Sequence, residues 1–272
     1  MSQEALKARQ IELEELFNKN QLMARIREEF KDCEDFDFAA YAEHVGLPEK
    51  FVIDLLAQMS LHKRCDLNTL VGSLKHHFLN MQDCVEAIDK ACEADLVDWD
   101  RATMKFIVKF TISDETQAEL DRFQFPLPSI IEPKEVTCNS EDGMYTTFSS
   151  IILKKNHHED DVCLDHINRL NKIKFKIDWR VAKMVKNEWR NLDKPKEGET
   201  KEDFEKRKRA FEKYDRTAHE VMGLITKESD AFHLRHKYCK RGRTYSQGYH
   251  VNYQGTAWNK AVIVFANEEL VE

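Results

Sequence analysis

The chain has 272 residues, of which 42% are hydrophobic and 33% charged, with a formal net charge of −7 at pH 7. This composition excludes a disordered tail and is ordinary for a helix-rich protein with one or two cores. The seven cysteines, Cys33, Cys65, Cys84, Cys92, Cys138, Cys163 and Cys239, are odd in number and include no C-x-x-C pair, so reduced thiols are expected rather than a disulfide framework or a zinc site.

The first residues, MSQEALKARQ, lack the apolar stretch of a signal peptide, and no run approaches the ~18 apolar residues of a membrane span. A cytoplasmic protein without membrane contact is expected. Residues 4–17 have helical spacing, with Leu6, Ile11, Leu13 and Phe17 on roughly one side, and LMARIREEF follows as a second helix. Both are read as solvated or partner-facing helices. Pro48 is placed to open a helix through FVIDLLAQM, Asp66 or Asn68 to cap TLVGSLKHHF, and MQDCVEAIDKACEADL completes a small helical domain. His76 and His77, with His62 nearby, raise the question of a metal cluster. Neighbouring residues of an α-helix point in different directions, so no metal site is expected there.

Residues 104–112, MKFIVKFTI, read as a strand by alternation and β-branched content. FPLPSIIEPKEVT holds three of the five prolines and must be extended, because each proline moves its predecessor out of the helical region. Lys154, Lys155, His157 and His158 follow as an exposed loop that could line a strand path. Residues 165–190 read as one helix, with Ile167, Leu170, Ile177, Val181, Met184 and Val185 on its apolar side and Lys172, Lys176, Arg180 and Lys183 as a basic stripe. A second helix, KEDFEKRKRAFEKYDRTAHEVMGLIT, has an apolar seam of Phe204, Phe211, Tyr214, Ala218, Val221 and Ile225, and the two are expected to form an antiparallel hairpin.

Charge divides the chain. Residues 1–130 carry 15 basic and 25 acidic side chains and residues 161–272 carry 24 and 18, so an anion-binding footprint belongs to the C-terminal half. It concentrates in residues 231–260, where Arg235, Lys237, Lys240, Arg241, Arg243 and Lys260 alternate with Tyr238, Tyr245, Tyr249, Tyr253 and Trp258 and no Asp or Glu occurs. Guanidinium groups fork onto phosphate oxygens and flat rings stack on bases, a combination suited to a nucleic-acid strand. Gly242, Gly248 and Gly255 let the backbone approach a ligand or take positive φ. Residues 258–266, WNKAVIVFA, support helix and strand equally.

RGRTY, then NYQG, then AWNKAVIVFANEE resembles the strand-turn segment of the single-subunit phage and mitochondrial RNA polymerases, whose D-x-R-G-R-x-Y motif precedes N-P-Q-G and a polar-Lys-apolar run. Matching positions are Arg241, Gly242, Arg243, Tyr245, Asn252, Gln254, Gly255 and Lys260. Cys239 stands at the acidic position and Tyr253 at the proline. PSIIEPKEVT, GMYTT and SSIILKKNHH resemble the family's connector to the thumb, and LNKIKFKIDWRVAKMV resembles its first thumb helix.

The resemblance implies that Arg241, Gly242, Arg243, Tyr245, Gln254, Gly255 and Lys260 hold the template and RNA–DNA hybrid, and that Lys172, Lys176, Arg180 and Lys183 contact nucleic acid from a thumb. The family's two Mg²⁺-binding palm aspartates and its fingers, which hold the nucleoside triphosphates, lie beyond the matched segment, so a second polymerase subunit is expected to carry them. That organisation is similar to the split two-chain enzymes of N-four-like bacteriophages and would place the chain in a bacterial host's cytoplasm, with a single-stranded-DNA-binding or promoter-opening accessory protein as a further partner.

The expected fold is mainly α with a small β component (α+β): a reduced helical domain over 1–120, an extended connector over 121–160, a helical thumb hairpin over 161–230 and a strand-turn segment over 231–272. A non-catalytic single-stranded nucleic-acid-binding protein and a helical adaptor are the alternative readings of the same basic stretch.

Overall fold

Helices account for about half of the chain in the computed structural model, which describes residues 2–17 and 19–267, and short strands form small antiparallel sheets, an α+β architecture. Among the described residues no helix is long and apolar enough to cross a membrane. Two compact units are present, one formed by Asn18–Asp121 and the other by Met1–Phe17 with Arg122–Glu272.

Helix α1 (Gln3–Leu16) belongs to the second unit and not to the helical domain expected over 1–120. The reason is a buried polar clasp. Gln10 and Glu14 are buried beside Leu13. Gln10 Nε2 donates to Glu14 Oε1 at 2.9 Å, and Gln10 Oε1 accepts the Ile130 amide at 2.8 Å. Glu14 Oε2 accepts the amides of Tyr145 and Thr146 at 2.8 and 3.0 Å and the Thr146 hydroxyl at 3.0 Å. Amides of an extended chain need acceptors from outside it, and α1 supplies them at Ile130, Tyr145 and Thr146.

In the Asn18–Asp121 unit, helices α2 (Lys19–Lys31) and α3 (Phe38–His44) pack on α4 (Glu49–His62). Nine α4 residues are buried, as suits a helix apolar nearly all round, which has no solvent face and becomes the centre. Pro48 is the residue before the helix rather than its first turn. Strand β1 (Arg64–Cys65) leads to α5 (Leu67–Leu74), capped by Asp66, which accepts the Thr69 amide at 2.8 Å. Helix α6 (Met81–Glu93) is followed by β2 (Asp98–Asp100) and β3 (Lys105–Ile107), in the antiparallel order β1-β3-β2. The strand expected over 104–112 thus shortens to three residues. Helix α7 (Asp114–Phe123) spans the boundary between the units.

The proline-rich segment is extended as expected and is tied by an antiparallel bridge from Ser129 to His233, and further along the connector Ile152 makes a parallel bridge to Tyr238. Val136, Ile151, Ile152, Ile167 and Tyr238 form a buried cluster beneath it. The single helix expected over 165–190 is instead α8 (Leu164–Asn171), β4 (Lys174–Ile177) and α9 (Trp179–Met184). Ile173 to Ile177 alternate apolar and basic side chains with a period of two, and the strand wins because the buried Phe175 ring meets Phe232, Tyr253 and Phe265 on one face. No antiparallel helical hairpin results. Only its second member forms, as the 28-residue α10 (Lys201–Glu228), whose C-terminal half buries Ala218, Val221, Met222 and Ile225.

Strands β5 (Phe232–His233), β6 (His236–Tyr238) and β7 (Thr244–Ser246) precede α11 (Ala257–Val262) and β8 (Ile263–Phe265). The ambiguous 258–266 segment is therefore both helix and strand. One antiparallel sheet has the order β5-β4-β8, and β6 pairs with β7 as a hairpin.

Replacing Glu14 by Ala leaves the Tyr145 and Thr146 amides without their acceptor. A loss of about 2–4 kcal/mol is expected, since each unsatisfied buried donor costs ~1–3 kcal/mol, and urea denaturation of Glu14→Ala against wild type measures it.

Candidate nucleic-acid interface

Two of the six cations in the basic stretch are internal. Arg235 is buried, with its guanidinium 3.7 Å from Asp142 Oδ2, and Lys237 Nζ lies 3.2 Å from the same oxygen. Lys237 also donates to Ser149 Oγ at 2.9 Å and to the Ser150 carbonyl at 3.0 Å. Burial pushes the pKa of both cations down, and the Asp142 charge opposes that shift. The Arg235 carbonyl accepts the Gln247 amide at 2.7 Å, which closes the open end of the β6–β7 hairpin beside the cation cluster.

The other four cations face solvent. Lys240, Arg241 and Arg243 sit in the hairpin turn, Lys260 on α11, and none makes an ion pair among the described residues. The turn closes by the Gly242 amide donating to the Cys239 carbonyl at 2.9 Å and the Cys239 amide to the Arg243 carbonyl at 2.8 Å. Gly242 has φ +73°, a left-handed conformation that side chains with a Cβ rarely adopt, which accounts for glycine between the arginines. The backbone N–H groups of Arg241 and Arg243, together with the Arg241 charge and side chain, favour the thiolate of Cys239 and hold its pKa below the usual range. A cavity of about 430 Å³ beside the turn is lined by His157, His158, Cys163, Cys239, Lys240 and Arg241. The structure thus joins the His157–His158 loop to the arginine turn.

The NYQG segment is a clasp. Asn252 Oδ1 accepts from Ser246 Oγ at 2.9 Å and from the Gln254 amide at 2.8 Å, while its Nδ2 donates to the Gly248 carbonyl at 2.9 Å. Gln254 Oε1 accepts the Ser246 amide at 2.8 Å and its Nε2 donates to the Thr244 carbonyl at 3.3 Å. Gln254, expected to touch template, therefore spends both ends of its amide on β7. A Cβ at Gly255 would stand 2.9 Å from the Asn252 carbonyl oxygen, so the close turn itself requires glycine. Tyr253 stacks on Phe175 with centroids 5.4 Å apart and meets His236 Nε2 through its hydroxyl at 2.9 Å. Tyr245 is exposed on β7, opposite Lys237. Helix α11 is docked by Trp258 Nε1 donating to the Val185 carbonyl at 2.9 Å and Asn259 Nδ2 to Tyr214 Oη at 2.7 Å.

The remaining predicted cations do not form one stripe. Lys172 lies in the turn after α8, 3.8 Å from Glu132; Lys176 is half-buried in β4 opposite Val264; Arg180 and Lys183 are exposed on α9. Lys154 is exposed with φ +61°, and the side chain of Lys155 lies outside the described residues. An aromatic cleft of about 540 Å³ runs between Trp189, Phe211 and Tyr214 and the loop bearing Gly248, Tyr249 and Gly255.

Three residues that position this surface carried no sequence signal beyond their type: Asp142, Asn171 and His236. Asn171 Oδ1 accepts the His236 amide at 2.9 Å and lies 3.1 Å from His236 Nδ1, and the Asn171 carbonyl meets His233 Nδ1 at 2.9 Å. Burial lowers the pKa of His236 to about 4, leaving a neutral imidazole between Asn171 and Tyr253.

No protein-family profile matches the chain. It is similar to a probable DNA-directed RNA polymerase of Agaricus bitorquis, with 27% identity over 199 residues that cover 63% of this chain and 17% of that protein. The chain therefore spans less than a fifth of the length of this relative, and the likeness is a general one to RNA polymerases.

Substituting Asp142 by Ala strands two buried cations. A stability loss of about 3–5 kcal/mol is expected by denaturant titration, as for other buried pairs deprived of one member. His236 makes stability depend on pH. Above pH ~6.5 its imidazole is neutral in both states; as the pH falls toward 4 the unfolded chain takes up a proton that the folded chain refuses, so stability drops. Between pH 7 and 5 wild type should lose about 2 kcal/mol more than His236→Gln, read from urea midpoints at each pH.

Proposed function

We propose that this chain is the template-positioning part of a DNA-directed RNA polymerase, in which the turn at residues 239–243 holds the template strand and the RNA–DNA hybrid beside an active centre carried by a second polypeptide. The observation that carries this reading is the division of labour among the cations. Arg235 and Lys237 are locked to Asp142 inside the hairpin base, whereas Lys240, Arg241 and Arg243 project from its turn without carboxylate partners among the described residues. A rigid base with solvated guanidinium groups at the tip is an arrangement for holding phosphates in register. Exposed Tyr245 adds a stacking surface beside it. The distant likeness to a probable DNA-directed RNA polymerase supports the same assignment.

In this reading the partner's palm binds the two Mg²⁺ ions and its fingers the nucleoside triphosphates, while this chain fixes the template. Lys260 on α11 and the exposed cations of α9, Arg180 and Lys183, extend the positive surface. Helix α10, whose exposed first half carries Lys201, Lys208 and Arg209, takes the part that the family gives to a helical thumb.

The test is Mg²⁺-dependent extension of an RNA primer on single-stranded DNA by this chain mixed with the products of neighbouring reading frames, each protein alone serving as control. Activity is expected only in the mixture. Arg243→Ala should lower the extension rate about 100-fold, because small misplacements of reacting groups cost rate steeply. Wild-type extension by an Arg241→Ala, Arg243→Ala double variant overturns the assignment. Tight strand binding by this chain alone, with no extension in any mixture, points to a non-catalytic single-strand-binding protein.

A further inference from the structure

Within the Asn18–Asp121 unit, and independently of the polymerase reading, one corner brings together a carboxylate and two imidazoles. Residues Lys75–His77 form a 3-10 turn, not a continuation of helix α5. The α-helical geometry that would separate neighbouring histidines is therefore absent, and the rings of His76 and His77 lie together with centroids 4.0 Å apart. Both Nε2 atoms face the same oxygen of Asp54 on α4: His77 at 2.6 Å and His76 at 3.4 Å. All three donor atoms lie within 4.8 Å of one another.

We propose that Asp54, His76 and His77 bind a divalent transition-metal ion of the zinc class. Two imidazole nitrogens and one carboxylate oxygen form a donor set that suits such ions. Ligands 2.0–2.1 Å from a tetrahedral ion stand about 3.3 Å apart. His76 and Asp54 already have that separation, and the His77 side chain needs to open by about 0.7 Å. Arg27 hydrogen-bonds the other carboxylate oxygen, Oδ1, and so directs Oδ2 toward the imidazoles. The Phe51 ring packs edge-on against His77.

His76 supplies the reason to invoke an ion. Its side chain is 61% exposed and can be hydrated freely, yet it turns toward a carboxylate that Arg27 and His77 already engage. A shared metal ion accounts for the third approach. The exposed side of His76 leaves a fourth position for water. The ion would staple the turn after α5 onto the central helix α4.

The experiment titrates Zn²⁺ into the metal-stripped full chain by calorimetry and Co²⁺ by visible absorption. One equivalent of Zn²⁺ with micromolar or tighter affinity is expected, together with four-coordinate Co²⁺ bands that Zn²⁺ displaces. His76→Gln and His77→Gln should each weaken binding at least tenfold, circular dichroism confirming their fold. Absence of stoichiometric binding to folded wild type overturns the proposal without any variant. Unchanged affinity in the double His→Gln variant overturns it equally.

Discussion

One buried carboxylate, Asp142, sets the geometry of the surface that carries the chain's positive charge. It faces Arg235 and Lys237 together inside the base of the β6–β7 hairpin and offsets one of their two charges, while the Glu14 carboxylate adds attraction on Arg235. Placing two cations in a low-dielectric interior is costly unless a counter-charge is fixed there first. Because that condition is met, the hairpin emerges in a defined direction and its turn can display Lys240, Arg241 and Arg243. The extended connector carrying Asp142 is in turn held by the Gln10–Glu14 clasp of α1. Residues more than a hundred positions apart thus cooperate to hold one turn.

Support comes from a second layer of neutral hydrogen bonds. Asn252 and Gln254 grip β7, and Asn171, His236 and Tyr253 form a chain of polar contacts beneath β6. Motifs that look like ligand-binding residues in sequence divide here into two kinds. Gln254 and Gly255 shape the loop, whereas Arg241, Arg243, Tyr245 and Lys260 remain available at the surface.

The Asn18–Asp121 unit is organised differently, around the apolar helix α4 rather than around a buried charge. A buried carboxylate, Asp54, faces Arg27 and two histidines at the helix edge. Ordinary hydrophobic burial holds this unit, and the polar corner specifies how the turn after α5 meets it.

Sequence alone determined the features that depend on local chemistry or on summed composition. These include the α+β class, the helix through FVIDLLAQM, a polar cap at Asp66 or Asn68 for the next helix, the extended proline-rich connector, the charge asymmetry and the glycine-bearing arginine turn. Each follows from side-chain type and short-range spacing. The alternation of Ile173 to Ile177 was also present in the sequence, but a helical period over the longer window concealed it. Only the tertiary structure decided that β4 interrupts the expected helix, because pairing with β5 and β8 and packing on Phe175 outweigh helical propensity. It likewise decided that Arg235 and Lys237 are internal, that Gln254 serves the loop, and that α1 joins the C-terminal unit. A buried charge and a solvated one are written with the same residue, and what separates them is a partner brought close by the fold.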